Sequence, residues 1–336
     1  LLPIAVGGGI YERFSASAAV LRERPPLGAP RLQSDRLDAY YALSRPIAPT
    51  DWFAFTPVAG GRVTHYTNTV GAVTAGGYTR TLGEIGFDTA LNASGTFDYR
   101  NERWDINGLR HLFTPRVSYR YIPEADRGRG RIPRIDARAF STYLPPLGLG
   151  EARNIDALTA TNTLRVAFDN TLQTRDATYG SRDLLTLNVA TDFRFKRAPG
   201  ERDVSVVQTE AAFAPAHWLR VETFSQLSPQ TGRLQEFNSG VTLHDGTAWS
   251  LRFSNNFLRA QIQDYHIDSQ AHLNQRFDAL ARLSYDARAR RFNEQAYGLV
   301  QNLAHTWRVS YVVSFYSGPR RESHFGLNVQ VETIGF

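Results

Sequence analysis

Long stretches in which apolar and polar side chains alternate constrain this chain more than any other feature of its sequence. In WRVSYVVSF, residues 307–315, every second residue is apolar from Trp307 to Phe315, and Arg308 and Ser310 lie between them. The same alternation recurs in LLTLNVATDFRF and TAWSLRFSNNF. Side chains alternate between two faces in a strand, whereas an amphipathic helix would need apolar residues three or four apart. The sequence therefore predicts strands with one apolar and one polar face.

Turn signals separate these runs. Asp245-Gly246 between two alternating stretches is a strong signal for a hairpin, and SPQTG, RAPGE and SGPR mark further turns. Divided at such signals, the sequence predicts about sixteen strands. They lie near 9–22, 35–47, 52–66, 83–100, 110–122, 158–174, 182–196, 203–213, 217–227, 234–244, 247–257, 263–275, 278–288, 292–301, 304–316 and 324–333.

The length of these strands selects a membrane architecture. Many reach ten residues or more, against roughly five or six in soluble sheets and about 9–11 for a tilted membrane strand. No run of the roughly 18 apolar residues that a spanning helix needs is present, which excludes a helical membrane protein. We therefore predict an all-β fold over residues 1–336, an antiparallel up-and-down transmembrane β-barrel that forms part of a larger barrel.

Strict up-and-down order fixes the side of each connection, if the last strand ends on the periplasmic side. Four tryptophans near strand starts, Trp52, Trp218, Trp249 and Trp307, would then form a periplasmic girdle, although aromatics favour strands in general. The connections 101–109 and 175–181 are longer than a periplasmic turn should be. The predicted external segments are 23–34, 67–82, 123–157, 197–202, 228–233, 258–262 and 317–323.

Alternation also predicts which residues face lipid and which face the lumen. The predicted outward residues are Leu185, Leu187, Val189, Trp249, Leu251, Phe253, Tyr311, Val313, Leu327 and Val329. The predicted lumen-lining residues are Arg116, Ser118, Arg120, Arg165, Asp169, Arg194, Arg220, Glu222, Arg252 and Arg282. Pro57 and Pro115 lie inside predicted strands, where a proline cannot donate to the ladder, so we expect local weaknesses in the sheet there.

The sequence carries little that indicates catalysis. It lacks the nucleophile elbow, the phosphate-binding loop, the dinucleotide fingerprint and the H-E-x-x-H motif. With no cysteine, thiolate zinc sites are excluded, and we expect no cofactor. His266, Asp268 and His272 share one strand face and could supply metal ligands. Apolar neighbours at alternate positions favour an ordinary polar strand face instead, so we predict neither an enzyme nor a metal site.

Arginine dominates the positive charge. The net charge is +6, and Lys196 is the only lysine. Arginine binds phosphate well, so lipid or nucleic-acid phosphates are conceivable partners, but a lineage bias toward arginine is the simpler interpretation. The arginine- and glycine-rich stretch 124–139 could bind RNA. Between two strands of membrane length we interpret it as an external loop that meets lipid headgroups or water, and we expect no nucleic acid.

Several stretches, in matching order, resemble the outer-membrane lipopolysaccharide-assembly barrels of the LptD family. LSRPIAPTDWFAFTPVAGGRVTHY at 43–66 is similar to the family's strand pair with a Pro, a Trp and a T-x-Y. HLFTPRVSYRYIP at 111–123 is similar to its strand ending in Tyr-x-Tyr and Pro. IPRID at 132–136 and the stretch 154–175 resemble the next loop and strand, and the closing FGLNVQVETIGF resembles the last strand.

The resemblance implies a bacterial outer-membrane protein that delivers lipopolysaccharide through its lumen and a lateral gate to the outer leaflet. It implies a plug lipoprotein inside the barrel and a periplasmic lipopolysaccharide-bridge protein, which binds an N-terminal periplasmic domain. We expect neither this domain nor the first barrel strands to lie within residues 1–336, and the first residues lack a signal-peptide pattern. We therefore expect residues 1–336 to be a mature or truncated C-terminal barrel portion.

The last strand would have two roles. Its polar-x-Gly-x-x-apolar-x-apolar pattern and aromatic end fit the signal that the barrel-insertion machinery recognises, and the resemblance makes the same strand one side of the gate. The residues assigned to these roles are His324, Gly326, Asn328, Val329, Val331 and Phe336. A sixteen-stranded porin or other diffusion channel is the alternative function. Ion conductance would favour the porin, and an upstream periplasmic domain would favour lipopolysaccharide assembly.

Overall fold

The structure is a computed structural model that describes residues 3–22, 33–67, 77–123, 129–132, 141–150, 155–158, 160–176, 180–197, 200–303, 306–317 and 324–333. These residues form strands joined by short connections and three short 3-10 turns, at Glu102–Trp104, Arg129–Arg131 and Ile155–Ala157. In these ranges no helix has the length and apolar character needed to cross a membrane.

Nineteen strands make up the described fold. In chain order they are β1 Ile4–Gly7, β2 Ile10–Arg22, β3 Gln33–Ser44, β4 Ile47–Thr50, β5 Phe53–Tyr66, β6 Tyr78–Leu91, β7 Ala93–Asn101, β8 Ile106–Ile122, β9 Thr161–Asp176, β10 Gly180–Arg194, β11 Val207–Ala216, β12 Leu219–Ser228, β13 Arg233–Asp245, β14 Trp249–Leu258, β15 Ile262–Asn274, β16 Phe277–Asp286, β17 Arg291–Leu303, β18 Trp307–Tyr316 and β19 Phe325–Thr333.

The strands pair antiparallel and follow chain order, which confirms the predicted fold class. From β11 to β19 each strand pairs with the next. At the beginning of the chain, β2 pairs with β3, β3 with β5, β5 with β6 and β6 with β8. The chain divides into two compact units. Unit 1 is residues 1–93, 113–168 and 190–206, and unit 2 is residues 94–112, 169–189 and 207–336.

The difference between about sixteen predicted strands and nineteen observed ones has local causes. The predicted strand 83–100 is two strands, since β6 ends at Leu91 and β7 begins at Ala93. The amide of Asn92, between them, donates to the carbonyl of Trp52 and extends the pairing of β6 with β5 by one residue. The other two additions, β1 and β4, have four residues each. Strands this short contain too few alternations to be recognised from sequence.

The long connection predicted at 101–109 is also shorter than expected. β7 continues to Asn101 and β8 begins at Ile106, so only a 3-10 turn and Asp105 lie between them. Asp105 adopts a left-handed conformation with φ 48°. The connection predicted at 175–181 shrinks to 177–179, which lie outside the described residues. These shorter turns fit the periplasmic side better than the predicted ones.

Pro57 is accommodated by a break in the neighbouring strand. The β5–β6 register runs through Pro57 opposite Phe87. On the other side, β3 ends with Ser44 opposite Val58, and the pairing resumes only in β4. The missing N–H of proline therefore lies where the ladder is already interrupted. Pro115 lies within β8. Whether either residue weakens the sheet stays a prediction.

The connection 123–157, which is predicted to be external, contains buried apolar residues. Of its described residues, Ile132, Leu149 and Ile155 are buried, and Leu149 is fully so. Leu149 packs with Tyr40, Leu82 and Ile122 in the hydrophobic cluster of unit 1. Apolar residues inside this connection therefore pack against the strands, and its placement on the external side stays a prediction. The rest of the arginine-rich stretch, 124–128 and 133–139, lies outside the described residues.

Candidate functional site

Unit 2 carries a ladder of polar side chains across neighbouring strands. The register places residues from β12 to β16 directly opposite one another, in the order Arg220, Thr242, Arg252, Asp268 and Arg282. Arg282 donates through Nε to Asp268 at 2.9 Å, and Arg252 donates to Glu222 at 3.3 Å. Arg220 donates to the same Glu222 at 2.7 Å. Four residues predicted to line the lumen therefore share one charged face.

Three of the predicted outward residues, Trp249, Leu251 and Phe253, lie on the other face of β14. Leu251 and Phe253 are offset by one position from Arg252, and Phe253 stands opposite Val241 and Ile267. Further along, Val313 stands opposite Leu327, and Tyr311 opposite Val329. The side chain of Leu327 is 63% exposed. A continuous exposed apolar face of this kind fits contact with lipid, and its assignment to lipid stays a prediction.

The tryptophans of unit 2 lie at matching strand ends. Trp249 begins β14 and Trp307 begins β18, while Trp218 immediately precedes β12. Because successive antiparallel strands reverse direction, these three strands run the same way, so the three indoles lie at one end of the unit. Trp218 also stacks on Trp104, with ring centroids 6.0 Å apart. Interfacial tryptophans commonly occupy such a position.

Unit 1 contains a buried set of charged side chains whose members are not among the predicted site residues. Arg36 on β3, Arg62 on β5 and Arg80 on β6 are 7%, 2% and 2% exposed, and we call them the arginine wall. The register places Tyr40 on β3 opposite Arg62 on β5. Thr64 on β5 stands opposite Asp38 on one side and opposite Arg80 on the other. The wall residues therefore share one face of three neighbouring strands. Arginine this deeply buried requires partners for its charge and its donors.

Some of the hydrogen-bond partners of the arginine wall lie on the same strands as the wall. Arg62 binds Asp38 through two parallel hydrogen bonds, from Nε at 2.9 Å and from Nη2 at 2.8 Å. Thr64 donates to the same carboxylate at 2.7 Å. The guanidinium of Arg62 also lies over the ring of Tyr40. A bidentate pair of this geometry is the strong form of an arginine–carboxylate contact.

The remaining partners come from the β8–β9 connection, whose described residues 141–150 and 155–158 we call the inner segment. Asp156 accepts from Arg36 at 2.8 Å and from the Tyr66 hydroxyl at 2.7 Å. The carbonyl of Ile155 accepts from Arg80, and the carbonyl of Leu149 accepts from Arg62, both at 2.5 Å. Every arginine of the wall therefore donates to the inner segment.

Glu84 on β6 holds the other end of the inner segment. One carboxylate oxygen accepts from the amide of Leu149 at 2.7 Å, and the other accepts from the Tyr40 hydroxyl at 2.8 Å. A Cβ on Gly148 would come within 3.0 Å of the first of these oxygens. Glycine at 148 therefore lets the backbone approach the strand face closely enough for this contact.

The predicted lumen residues of β8 lie beside the wall. Ser118 stands opposite Asp88 and Arg120 opposite Gly86, on the same face as Glu84. Arg120 donates to Asp88 at 2.6 Å. Arg116, opposite Ala90, is exposed. A cavity of about 420 Å³ borders this face and is lined by residues that include Arg13, Tyr40, Glu84, Asp88, Arg120 and Gly148.

The remaining lumen predictions lie on β9 and β10. Arg165 binds Asp192 through two hydrogen bonds of 2.7 and 3.0 Å and donates to the carbonyl of Pro145 in the inner segment at 2.7 Å. Arg194 donates to the carbonyl of Arg202 at 3.3 Å, and Asp169 is half-buried. Arg165 and Arg194 therefore bind groups of the protein itself. Whether they line a lumen stays a prediction.

The last described strand pairs with β18 along its whole length. The register runs from Phe315 opposite Phe325 to Trp307 opposite Thr333, with Asn328 opposite Val312. His324 accepts from the amide of Tyr316 through its carbonyl at 2.8 Å, and Gly326 lies against the Tyr316 ring. Val331 is 58% exposed. Phe336 lies outside the described residues, and the gate and insertion roles stay predictions.

The histidine trio on β15 is divided among separate partners. His266 contacts Asn256 at 3.2 Å, Asp268 binds Arg282, and His272 contacts Asp278 at 2.7 Å. Over the ranges that the structure describes, no three His, Cys, Asp or Glu residues gather where they could hold a metal ion.

A signal for the arginine wall exists in the sequence. In QSDRLDAYYALS, the charged and polar residues Ser34, Arg36 and Asp38 recur at every second position, with Leu37 between them. This alternation marks a charged strand face, but it does not distinguish a buried charged face from a hydrated one. The partner Asp156 lies 120 residues from Arg36, and no local pattern predicts a contact across that distance.

Comparison with known proteins gives one family. The family model described as LptD, LPS transport system D, matches residues 10–307. No curated protein matches. Among solved structures, a variant of the Rh. blastica porin is 11% identical, with 97% of this chain and 100% of that chain covered and a TM-score of 0.35. A chain described as "Asymmetric conductivity of engineered proteins" is 14% identical, with 96% and 97% covered and the same TM-score.

Proposed function

Because the chain belongs to the LptD family, whose model matches residues 10–307, we propose that it passes lipopolysaccharide along its polar strand faces and through a lateral gate to the outer leaflet. The family transports lipopolysaccharide in the bacterial outer membrane. It is a transport and assembly family and not an enzyme family. The family match over most of the chain is the observation that carries the proposal.

The charged ladder of unit 2 supports the lumen part of this proposal. Arg220, Arg252 and Arg282 lie on one face with Glu222 and Asp268, and Arg282 is 62% exposed at its side chain. A hydrated face with exposed guanidinium groups suits a sugar headgroup that carries phosphates. The apolar face on the other side of the same strands suits lipid.

Photo-crosslinking from this ladder tests the route. We expect a photoreactive residue in place of Arg252 to capture lipopolysaccharide in cells. The same residue in place of Leu251, one position away and on the opposite face, serves as the matched control and should capture phospholipid. A second probe in place of Arg120 tests the equivalent face of unit 1. Capture of phospholipid alone from Arg252 and Arg120 would refute a lumen route along these faces.

The gate proposal concerns β19. Sideways release of an amphiphile requires a strand pair that can separate, because unpaired backbone groups are costly in hydrocarbon. We expect a cysteine in place of Asn328, crosslinked to the facing position of the first barrel strand of the whole protein, to stop export while the barrel stays folded. Normal export by the crosslinked protein would exclude a gate at β19. Ion conductance by the purified chain would instead favour the porin alternative.

The partners follow from the same proposal. A plug lipoprotein would occupy the barrel, the barrel-insertion machinery would recognise β19, and a periplasmic bridge protein would deliver lipopolysaccharide to a domain outside residues 1–336. In this proposal residues 1–336 form the C-terminal barrel portion of the protein. We expect a lipoprotein to co-purify with the tagged whole protein. Loss of this lipoprotein when the barrel is taken apart would support its role as the plug.

A further inference from the structure

We propose that Arg36 and Arg80 form a binding site for a phosphate-bearing anion, which Asp156 and the carbonyl of Ile155 occupy in this structure. The inference stands on the contacts within unit 1. It rests on the proposed function only for the source of the phosphate, which would be the headgroup of lipopolysaccharide.

The two arginines converge on one place. Arg36 donates to a carboxylate oxygen of Asp156 at 2.8 Å, and Arg80 donates to the carbonyl oxygen of the preceding residue, Ile155. The hydroxyl of Tyr66 donates to the same oxygen of Asp156 at 2.7 Å. Three donors from three neighbouring strands therefore surround two oxygens of adjacent residues. A phosphate group presents several oxygens and accepts from several donors at once.

Arg80 is only partly satisfied by its present partner. Its side chain is buried, yet among the described residues its Nε and Nη1 atoms have no hydrogen-bond acceptor. A guanidinium offers five N–H donors, and a single backbone carbonyl can use few of them. Buried donors without acceptors are costly, so a ligand with more oxygens than the Ile155 carbonyl would bind Arg80 better.

The charge balance gives the same result. With the inner segment in place, the described wall and segment residues oppose three arginines, Arg36, Arg62 and Arg80, with three carboxylates, Asp38, Glu84 and Asp156. Departure of Asp156 would remove one of these three described carboxylates from the set. Asp38 is bound by Arg62, and Glu84 accepts from the Tyr40 hydroxyl and from the amide of Leu149. Neither carboxylate is placed to supply acceptors for the Nε and Nη1 atoms of Arg80. An anion is the ligand that these donors would attract.

Asp156 and the carbonyl of Ile155 belong to the chain itself, and they therefore compete with an external ligand for the two arginines. Binding of a phosphate requires the inner segment to leave, which reduces the apparent affinity by the fraction of molecules in which the site is open. Weakening the hold of Asp156 should raise that fraction and so tighten anion binding. A structural ion pair that never opens would not admit the ligand in the wild-type chain.

Equilibrium binding of inorganic pyrophosphate to the full chain in detergent micelles tests the site. We expect Asp156→Asn to bind pyrophosphate on the order of tenfold more tightly than the wild type. The gain should disappear when Arg80→Gln is added. Asp278→Asn is the matched control, because it also removes a buried carboxylate, one that contacts His272 and Asn302 in unit 2. Equal affinities of Asp156→Asn and the wild type would overturn the proposal.

A single-cysteine reporter keeps the test valid if Asp156→Asn fails to fold. The chain has no cysteine, and Leu149 is fully buried in the inner segment, so Leu149→Cys reports displacement through its reaction with a water-soluble maleimide. We expect saturating pyrophosphate to speed this reaction. Arg80→Lys, which keeps the positive charge but loses the paired N–H donors of the guanidinium, should abolish the acceleration. No acceleration by pyrophosphate in the otherwise wild-type chain would also overturn the proposal.

Lipid and free phosphate are distinguished with the same reporter. Purified lipopolysaccharide should speed labelling of the Leu149→Cys chain, and lipopolysaccharide stripped of its phosphates should not. Acceleration by pyrophosphate alone would support the anion site with free phosphate as its ligand, whatever the outcome of the export and crosslinking experiments. Equal acceleration by intact and stripped lipopolysaccharide would overturn phosphate recognition as the cause of displacement.

Discussion

At Arg62, a single guanidinium binds both oxygens of Asp38 and a backbone carbonyl of the inner segment. Its side chain and that of Asp38 are 1% and 2% exposed. Water therefore cannot replace either partner. The stability of such a pair depends on both members being present, because a lone buried charge is far more costly than a pair.

Replacement of Arg62 with methionine should destabilise the folded chain strongly. Arg62→Met leaves Asp38 buried without its counter-ion, and we expect a loss of about 3–5 kcal/mol in the free energy of unfolding. The double variant Arg62→Met, Asp38→Leu should recover most of this loss. Urea unfolding in lipid vesicles measures both. A double variant no more stable than the single one would show that the pair is not the cause.

Gly86 on β6 should not tolerate a side chain. A Cβ at this position would overlap the carbonyl oxygen of Tyr119, so the backbone of β6 or β8 would have to shift. We expect Gly86→Ala to cost roughly 1–3 kcal/mol. Gly83→Ala on the same strand is the control, since a Cβ there meets nothing within 4 Å. Equal unfolding midpoints for the two variants would contradict this contact.

At the scale of the strand, β14 illustrates what alternation determines. Leu251 and Phe253 fall on one face and Ser250 and Arg252 on the other, as the sequence predicts, because the period of two follows from backbone geometry alone. The break between β6 and β7 lies where the pairing of β6 with β5 ends, at Leu91 opposite Phe53, and no local pattern identifies that partner strand. Element type is therefore local, whereas element boundaries depend on distant partners.

An arginine substitution on each face of β14 tests the lipid assignment. Leu251→Arg should cost roughly 2–4 kcal/mol of folding free energy in lipid, because it places a charge in hydrocarbon. Ser250→Arg, one residue earlier on the polar face, should cost close to nothing. Folding titrations into vesicles provide both values. The reverse order of the two costs would show that the strand faces are assigned the wrong way round.

At the scale of the whole molecule, the sequence predicts the fold class and the family better than the candidate site. Fold class follows from alternation and strand length, and the family from motifs in order, which the match over residues 10–307 confirms. The arginine wall is only half visible, because its strands show charged alternation while Asp156 and Leu149 lie in a connection that no periodicity marks. Contacts between a strand and a distant connection depend on tertiary packing.

The two units use charge differently, and this difference can be measured. Asp268 and Arg282 in unit 2 have side chains 43% and 62% exposed, whereas the Arg62–Asp38 pair of unit 1 is buried. We expect Asp268→Asn to cost about 0–1 kcal/mol, since exposed pairs are screened by solvent. A cost comparable to that of Arg62→Met would mean that the ladder is much less hydrated than its exposure indicates.

The contact between Arg36 and Asp156 also constrains the order in which the chain folds. The two residues are 120 positions apart, whereas neighbouring strands such as β5 and β6 can zip together as soon as their hairpin is complete. Closing a long loop costs more entropy than closing a short one, so the inner segment should dock late. Until then, three arginines remain hydrated on a half-assembled sheet. We expect this charged surface to delay aggregation of the early hairpins, and so to act during biogenesis as a built-in solubilising patch that disappears on completion.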